Sequence, residues 1–540
     1  MKAKFFIAGL LLAGAVISSL AQSYKDGIEY YKVDQLDNAK ELLERNLNAP
    51  STNKSEAFYY LGQIALKQGN LTEAKSYFDR GISADANNPY NYVGQAALEL
   101  KKGGNPKGLF DQVRKMSKKD PKLEIEIARA YYAANPTTYA KDIEKCIKNA
   151  QKWNMTDPNS HIFSGDMKAD QKQWGDAAGL YEMAFSNDPN NVEAYVKYAN
   201  TYFNVNPTMA IERLEELNAK SPNQALVQRQ LAEKYYSDNQ GVKAAEKYGE
   251  YIKNPNHFAQ DEVRYVQLLF FGEKYQESYD LATSLISKLN AGDEKVFYMR
   301  RMQLYNLDML DKYEQAVEAG KQFFAMAKPV DATYEVRDYT DYGKALQEAG
   351  QPEAAIDAYN KAIELNPQNE DLIRNMGDSY AEAKNYEKAA SYYQKLYDGG
   401  MAKANDIFTL SRYLYFLASD TQDEAVKANA IAQSQKYLTE ADQKVPGNVQ
   451  IVNQKANMAK LLEGDKITGK ALPAYKELLS ILDAKEDNSG YDRYYRYIYN
   501  YLANYEFQFG DKSLAKEYYR KWLQHDPENE ALRKYVEAMK

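Results

Sequence analysis

The sequence predicts an all-α chain built as a solenoid of about thirteen helix pairs. Small and aromatic residues recur at a fixed spacing of 34 residues, which is typical of repeat architectures. Within a repeat, apolar residues recur every three or four positions, as they do along one face of a helix. Leu, Ala, Tyr, Lys and Glu dominate while Gly and Pro are modest, a composition that favours helix over strand.

The repeat is clearest in residues 336–403. Gly343 and Gly377 are 34 residues apart, and the same spacing separates Ala355 from Ala389. A period of this length predicts one supersecondary unit per repeat, which buries its apolar face against its neighbours.

Residues 55–88 follow the same template and show why each unit should contain two helices. One apolar stripe runs from Phe58 to Ala65 and a second from Leu71 to Phe78. Gly69 lies between them and is expected to end the first helix.

The order of a large residue, glycine, alanine, an aromatic residue and proline resembles the tetratricopeptide repeats, as found in exported proteins of a Bacteroidetes-like bacterium. The resemblance is strong in seven units, weaker in the others, and covers nearly all of the chain after residue 21. It implies a right-handed superhelical solenoid of helix-turn-helix repeats that takes part in protein–protein interaction.

The first 21 residues have the features of a cleaved signal peptide. Lys2 and Lys4 precede an apolar run from Phe5 to Ile17, and small residues lead up to Ala21. We expect cleavage after Ala21 and export to the periplasm, with the mature chain beginning at Gln22 and associated with the outer membrane or free of it. No other long apolar run follows, so no transmembrane segment is expected in the mature chain.

The remainder is predicted to form an N-terminal array at 22–327, a C-terminal array at 328–528 and a capping helix at 529–540. The division is placed at "KPVDAT", residues 328–333, where the repeat pattern is interrupted and the array is expected to bend.

Charge and cysteine content exclude several classes of partner and cross-link. The formal net charge is −7, and loss of Lys2 and Lys4 with the signal peptide makes it −9. An acidic chain without a basic block is not expected to bind nucleic acid. Cys146 is the only cysteine, so the chain forms no internal disulfide bond. The expected partners are envelope proteins or peptides, and peripheral association with a membrane complex is compatible with these features.

The sequence contains no recognisable catalytic or cofactor-binding motif. His161, His257 and His525 lie in different repeats and have no second ligand at metal spacing. Residues 464–471, "GDKITGKA", match the spacing of a phosphate-binding loop, but Ala471 replaces the required Ser or Thr and no strand precedes it. We therefore predict that the chain is not an enzyme and has no metal or cofactor.

The tyrosine-rich stretch 491–507 is the candidate recognition surface. Most of its tyrosines are expected to pack within the solenoid, with Tyr499 and Leu502 facing the partner helix. The resemblance implies that other positions of the same helix face a ligand, and their aromatic, amide and arginine side chains are typical of binding hot spots. The candidate partner-binding residues are Arg493, Arg496, Tyr497, Asn500, Asn504, Phe507 and Gln508. The corresponding positions of 55–88 are Tyr59, Gln63 and Lys67.

These features predict a non-catalytic scaffold or adaptor in the periplasm or cell envelope of a bacterium. The alternative is a groove that binds extended peptides or glycans during uptake or secretion, which would require a continuous aromatic stripe. An enzyme would require a polar cleft with clustered titratable groups, and the sequence shows none.

Overall fold

A computed structural model describes residues 23–290 and 292–539. The signal peptide predicted at 1–21 lies outside the described residues, as does Gln22. Within them every regular element is helical, with 29 α-helices and a 3-10 turn at Ser489–Tyr491. The predicted all-α class is confirmed.

The chain divides into two compact units, Met1–Asn290 and Ala291–Lys540, which we call unit 1 and unit 2. The connection from unit 1 to unit 2 lies between two helix pairs. The predicted arrays at 22–327 and 328–528 are separated by an expected bend at 328–333. This division stays a prediction, as does the capping role of 529–540.

Unit 1 contains eight successive helix pairs. They are α1 (Tyr24–Lys32) and α2 (Leu36–Asn46), α3 (Lys54–Lys67) and α4 (Leu71–Ala84), α5 (Pro89–Lys101) and α6 (Lys107–Met116), α7 (Pro121–Ala134) and α8 (Ala140–Trp153), α9 (Pro158–Asp170) and α10 (Trp174–Asn187), α11 (Val192–Tyr202) and α12 (Pro207–Lys220), α13 (Ala225–Ser237) and α14 (Gly241–Ile252), and α15 (Asp261–Phe271) and α16 (Tyr275–Lys288).

Unit 2 contains six further pairs and a final helix. They are α17 (Glu294–Met309) and α18 (Tyr313–Phe324), α19 (Val336–Glu348) and α20 (Pro352–Leu365), α21 (Glu370–Glu382) and α22 (Tyr386–Asp398), α23 (Ala404–Asp420) and α24 (Glu424–Lys444), α25 (Val449–Glu463) and α26 (Leu472–Asp483), α27 (Asp492–Phe509) and α28 (Lys512–Gln524), and α29 (Glu530–Ala538). The described residues thus hold fourteen pairs, one more than the sequence suggested.

Asparagine, aspartate and proline define where many of these helices begin. Asn53 and Asn70 cap α3 and α4, because the side-chain oxygen of each accepts a hydrogen bond from a backbone amide of the first turn. Pro89 and Pro158 begin α5 and α9, where the missing amide hydrogen is not needed. Gly69, in the turn after α3, has a φ of 81°, which confirms it as the end of that helix.

Within each unit most helices pack against the next one in sequence, and in unit 1 the first helices of successive pairs from α1 to α13 also pack against one another. In unit 1 this arrangement brings α1 back against α11 and α13. The first pair of unit 1 is therefore in contact with its sixth and seventh pairs, and the array of unit 1 closes on itself. The first helices of the pairs lie on the inside of the closed array.

Candidate functional site

The inner surface of unit 1 lines a cavity of about 610 Å³. Residues on α1, α3, α5, α7, α9 and α11 form most of its wall. Its volume is in the range of roughly 300–1,000 Å³ that is typical of ligand pockets. We call this space the inner cavity.

Helical spacing explains which side chains reach the inner cavity. Tyr60, Gln63 and Lys67 follow one another at three- and four-residue steps along α3, so they share the inner face of that helix. Phe58 and Leu61 lie off this face and are buried in the helix packing. The same rule selects the inner residues of the other first helices.

Four charged side chains on three successive first helices form a closed cycle of ion pairs in the cavity wall. Arg129 on α7 contacts Asp166 on α9 at 2.8 Å, and Asp166 contacts Lys197 on α11 at 2.7 Å. Lys197 contacts Glu193 at 3.2 Å, and Glu193 contacts Arg129 at 3.5 Å, which closes the cycle. We call these residues the charged cycle. Each charge has two opposite neighbours, so the wall is charged but locally neutral.

Tyrosine hydroxyls and a further carboxylate hold the charged cycle in place. Tyr181 donates a hydrogen bond of 2.9 Å to Asp166, and Tyr59 donates one of 2.6 Å to Glu126. Glu126 also lies 3.7 Å from the guanidinium of Arg129. Charged groups with this many partners are fixed in position, so they present a preformed surface to a ligand.

In the cavity wall, the pKa values of Lys32 and Asp166 are shifted farther from pH 7 than their ordinary values. Burial lowers the pKa of Lys32, but Glu29, Glu193 and Glu126 outweigh it, so the pKa of Lys32 is raised. Burial raises the pKa of Asp166, but Lys197 and Arg129 outweigh it, so the pKa of Asp166 is lowered. Lys32 and Asp166 therefore stay charged at pH 7, as groups that recognise a ligand by fixed charge must.

Aromatic rings complete the wall. Tyr31 and Tyr60 meet at an angle of 64° with a centroid distance of 5.2 Å, and the ammonium of Lys67 lies 4.9 Å from the centroid of Tyr31. Across the cavity wall, the guanidinium of Arg129 lies 5.2 Å from the centroid of Phe163. Apolar surface is thus available between the charges, as in sites that hold peptide side chains.

A second cavity, of about 590 Å³, lies against α8 and the ends of α7 and α9. Ile143, Ile147 and Met167 contribute to its wall, and Tyr132 and Asp170 belong to the walls of both cavities. It is less charged than the inner cavity and lies at its edge.

The sequence did not single out the charged cycle, because one charged residue in a helix carries no signal of its own. The signal that was present is the alternation of charge at inner positions of successive repeats. Asp166 follows Arg129 by 37 residues, and Lys197 follows Asp166 by 31. Of the second set of candidate positions, Gln63 and Lys67 line the inner cavity, and Tyr59 is buried behind it.

The residues proposed for recognition in unit 2 share one helix, α27. Tyr499 and Leu502 are buried, which confirms the packing role expected for them. Tyr497 and Phe507 are 51% and 40% exposed. The candidate residues occupy an exposed to half-buried stretch of α27, and they are Arg493, Arg496, Tyr497, Asn500, Asn504, Phe507 and Gln508.

Neighbouring hydrogen bonds already engage part of this set. Arg493 donates from Nε to the hydroxyl of Tyr497 at 3.1 Å. Asn504 donates to the backbone carbonyl of Asn500 at 2.8 Å and accepts a hydrogen bond of 2.9 Å from Tyr519. Partner binding by these residues stays a prediction.

Residues 464–471 match the spacing of a phosphate-binding loop, but their backbone amides bind a carboxylate of the chain itself. The carboxylate of Glu463, at the end of α25, accepts a hydrogen bond of 3.1 Å from the amide of Ala471 and one of 2.7 Å from the hydroxyl of Tyr501. Burial raises the pKa of Glu463, but these donors and the amides of Lys470 and Thr468 lower it further than burial raises it. The loop amides thus serve an internal carboxylate.

The histidines and the cysteine are held in local contacts. His257 Nδ1 lies 2.7 Å from the carbonyl oxygen of Asn254, and His525 Nδ1 lies 2.7 Å from Asp492. Burial raises the pKa of Cys146 to about 12.

Among the residues that the structure describes, no group of three or more His, Cys, Asp or Glu side chains is placed to hold a metal ion. In the same residues, no helix is both long and apolar enough to cross a membrane.

Family models match both compact units. A model described as "Tetratricopeptide repeat" matches residues 24–89 in unit 1, and a second model of that description matches 373–398 in unit 2. A model described as "TPR repeat" matches 343–384. No curated protein matches the chain.

Solved structures of similar proteins include the C-terminal part of a TPR repeat-containing protein from Cytophaga hutchinsonii. It is 19% identical, with a TM-score of 0.41, and the match covers 50% of this chain and 98% of that one. The APC/C hetero-tetramer Cut9–Hcn1 is 12% identical, with a TM-score of 0.31, over 81% and 83% of the two chains. YrrB, a TPR protein with an unusual peptide-binding site, is 17% identical, with a TM-score of 0.28, over 42% and 97%.

The family matches agree with the helix pairs and with the 34-residue period of the sequence. Tetratricopeptide repeats are therefore present in both compact units, at residues 24–89 and 343–398.

Proposed function

We propose that this protein is an exported, non-catalytic scaffold of the bacterial cell envelope, which binds an extended segment of a protein partner in the inner cavity of unit 1. Tetratricopeptide repeats support protein–protein interaction in general. The observation that carries the specific proposal is the inner cavity, whose wall combines the charged cycle with aromatic rings.

The volume of the inner cavity limits the kind of partner. At about 610 Å³, the space can accept side chains or a short stretch of extended chain but not a folded domain. A partner would therefore insert a terminus or a loop, while its folded part stays outside the array.

The charges of the wall favour a peptide over a neutral glycan, which was the alternative ligand. Arg129 and Lys197 can pair with carboxylates of a ligand, and Asp166 and Glu193 with its basic groups or amides. Because the charges of the cycle are already paired with one another, a neutral glycan could add only hydrogen bonds to them. A peptide with side chains of both signs could add ion pairs as well.

The exposed aromatic residues of α27 support a second docking surface in unit 2. Tyr497 and Phe507 expose about half and two fifths of their surface, and Lys512 lies 5.9 Å from the ring centroid of Phe507. Exposed aromatic and cationic groups are frequent anchors of protein interfaces.

Export rests on the signal-peptide features of residues 1–21. N-terminal sequencing of the protein from its native host should give a chain that begins at Gln22, with its amine free or cyclised. An intact Met1 end in the soluble cytoplasmic fraction would show that export is wrong.

Binding in the inner cavity can be tested by blocking it. Gln63 and Asn200 line the cavity without being buried, so Gln63→Trp together with Asn200→Trp should fill it while the helices keep their packing. Asp111→Trp, on an exposed position of α6 outside the cavity, is the matched control. We expect a protein that co-purifies with the wild type from envelope extract to be retained by the control variant and lost with the double variant. Equal recovery with both would exclude the inner cavity as the binding site.

A further inference from the structure

The closed array of unit 1 includes a region of contact between elements that are far apart in sequence. Tyr30 on α1 meets Phe258, in the loop between α14 and α15, edge to face at a centroid distance of 5.3 Å. Both rings are fully buried. The guanidinium of Arg45, on α2, lies 5.9 Å from the centroid of Phe258. We call this contact region, between α1–α2 and residues 225–261, the seam.

Polar groups surround the two rings. Arg229 on α13 forms two hydrogen bonds with Asp261, of 2.7 and 3.3 Å, and donates a third of 2.9 Å to Gln35 in the turn after α1. Asn256 donates a hydrogen bond to the carboxylate of Asp26. The seam thus joins the two ends of the closed array through two aromatic rings and a small number of polar contacts.

The seam differs from the interfaces between successive helices in one respect. Successive helices are joined by short turns, whereas α1 and α13 are held together by side-chain contacts alone. The seam is therefore the place where the closed array can open without unfolding a helix.

Opening of the seam would change the inner cavity, because α1 belongs to both. Tyr30 points into the seam, while the next two residues, Tyr31 and Lys32, form part of the cavity wall. Movement of α1 away from α11 and α13 would remove one wall of the inner cavity. A segment that lies within a longer chain could then enter from the side, without being threaded from one end.

We propose that the seam is a gate of the inner cavity, and that protonation of Asp26 favours its closed form. The gating role rests on the proposed function, because it assumes that the inner cavity is the binding site. The opening of the seam and its dependence on Asp26 do not rest on it.

The sign of the pH dependence follows from the surroundings of Asp26. Burial in the closed seam, and to a lesser degree Glu29, raise the pKa of Asp26 to about 6 from an ordinary 3.8, although Gln224 and Asn256 act against this. In an open seam Asp26 would be solvated and have its ordinary pKa. The closed form therefore binds a proton more readily, and acid favours closure.

The other charged groups at the seam are engaged elsewhere. Glu29, on the same helix as Asp26, pairs with Lys32 at 2.8 Å. Arg229 of α13 pairs with Asp261 of α15. The groups that face Asp26 from the N-cap of α13 and from the loop, Gln224 and Asn256, are neutral amides.

Two further ionisable groups lie at the seam. Arg45 pairs with Glu41 on its own helix. In the loop, His257 has Nδ1 against the carbonyl oxygen of Asn254 and its ring edge to face with Tyr251. Asp26 is thus the carboxylate that lacks a cationic partner at the seam, among the residues that the structure describes.

Hydrogen exchange of the full chain tests the gate without a partner. Protection of α1 and of residues 253–260 should rise about tenfold from pH 7 to pH 5, after correction for the intrinsic pH dependence of exchange, because closure binds one proton. Protection of α9, which lies far from the seam in the repeat order, should change little. Equal changes in α1 and α9, or none in α1, would contradict the proposal.

Two variants separate the gate from general stability. Asp26→Asn mimics the protonated carboxyl, so α1 should be as protected at pH 7 as the wild type is at pH 5, with no further pH dependence. Phe258→Ala should lower the protection of α1 at both pH values and leave α9 unchanged. Asp111→Asn, an exposed control, should behave as the wild type. A pH-dependent α1 in Asp26→Asn would overturn the role of Asp26, whether or not the inner cavity binds a partner.

Discussion

Gly165 on α9 lies so close to the ring of Tyr181 on α10 that a Cβ atom at position 165 would be 2.6 Å from Cε1 of that ring. The same relationship joins Gly343 and Tyr359 in unit 2, also at 2.6 Å. In these repeats the glycine therefore allows the two helices to approach until an aromatic ring fills the space over the glycine. This contact explains why glycine and tyrosine recur together at the repeat period.

Gly165→Ala should destabilise α9 and α10 by about 1–3 kcal/mol, because the new methyl group overlaps a buried ring that cannot move away freely. Gly179→Ala on the exposed side of α10 is the matched control, since nothing lies within 4 Å of the added Cβ there. It should stabilise the same pair by about 0.5–1 kcal/mol through helix propensity. Hydrogen exchange of α9 and α10 gives both free energies of opening. If Gly165→Ala raised the free energy of opening of α9 and α10, the contact between Gly165 and Tyr181 would have room for a methyl group.

The tyrosines of α27 should differ in what they contribute. Tyr499 is buried and stacks near Tyr495 and Tyr518 with centroid distances of 5.9 and 6.1 Å, so Tyr499→Ala should cost about 3–5 kcal/mol by analogy with buried Phe. Tyr497→Ala together with Phe507→Ala removes exposed rings and should leave the melting temperature nearly unchanged. If a partner docks on α27, the same double variant should weaken its binding by about 2 kcal/mol or more. Thermal unfolding and a binding titration measure the two effects. A double variant as unstable as Tyr499→Ala would mean that these rings serve packing.

The charged cycle should be sensitive to removal of one member. Arg129→Ala leaves Asp166 and Glu193 with one cation between them in a partly buried wall, at a cost of about 3 kcal/mol, near the lower end for buried pairs. Lys148→Ala breaks an exposed pair with Glu144 on α8 and should cost less than about 0.5 kcal/mol. The free energy of opening of α7, from hydrogen exchange, is the measurement. Similar costs for the two variants would show that the charged cycle is no more than a surface network.

Unit 2 should lose stability as the pH rises from 4 to 6. Burial raises the pKa of Asp341 to about 6, although Arg337 opposes this, so the folded unit binds a proton that the unfolded chain releases. Asp341→Asn should abolish this part of the pH dependence and stabilise unit 2 at pH 7 by about 1–3 kcal/mol, at 1.36 kcal/mol per pKa unit. Asp357→Asn, at an exposed position of α20, should show the same pH dependence of stability as the wild type. Urea denaturation between pH 4 and pH 7 provides the comparison, and an unchanged slope in Asp341→Asn would contradict the prediction.

The helical fold could be predicted because its determinants are local and repeated. Gly343, Ala355 and Tyr359 each recur after a fixed interval, and the asparagine and proline residues that begin helices stand at the expected turns. The short-range apolar pattern then fixes which face of a helix is buried.

The closure of unit 1 could not be predicted, because it depends on small angles between successive pairs that add up over many repeats. Nothing in the sequence around Tyr30 or Phe258 indicates that the two rings meet. The charged cycle could not be predicted from the sequence for a related reason. Arg129, Asp166 and Lys197 become neighbours only once the inner faces of three repeats are stacked.

Site-specific photo-crosslinking in the native host tests the central claim, binding of a partner segment in the inner cavity, most directly. A photoreactive amino acid would replace Gln63 or Asn200 inside the cavity, Asp111 on the outer surface of unit 1, or Tyr497 on α27. We predict that the cavity positions yield a crosslink to one extended segment of a partner, and that Asp111 yields none. Crosslinks at Tyr497 alone, with none from Gln63 or Asn200, would contradict the claim and place recognition on α27.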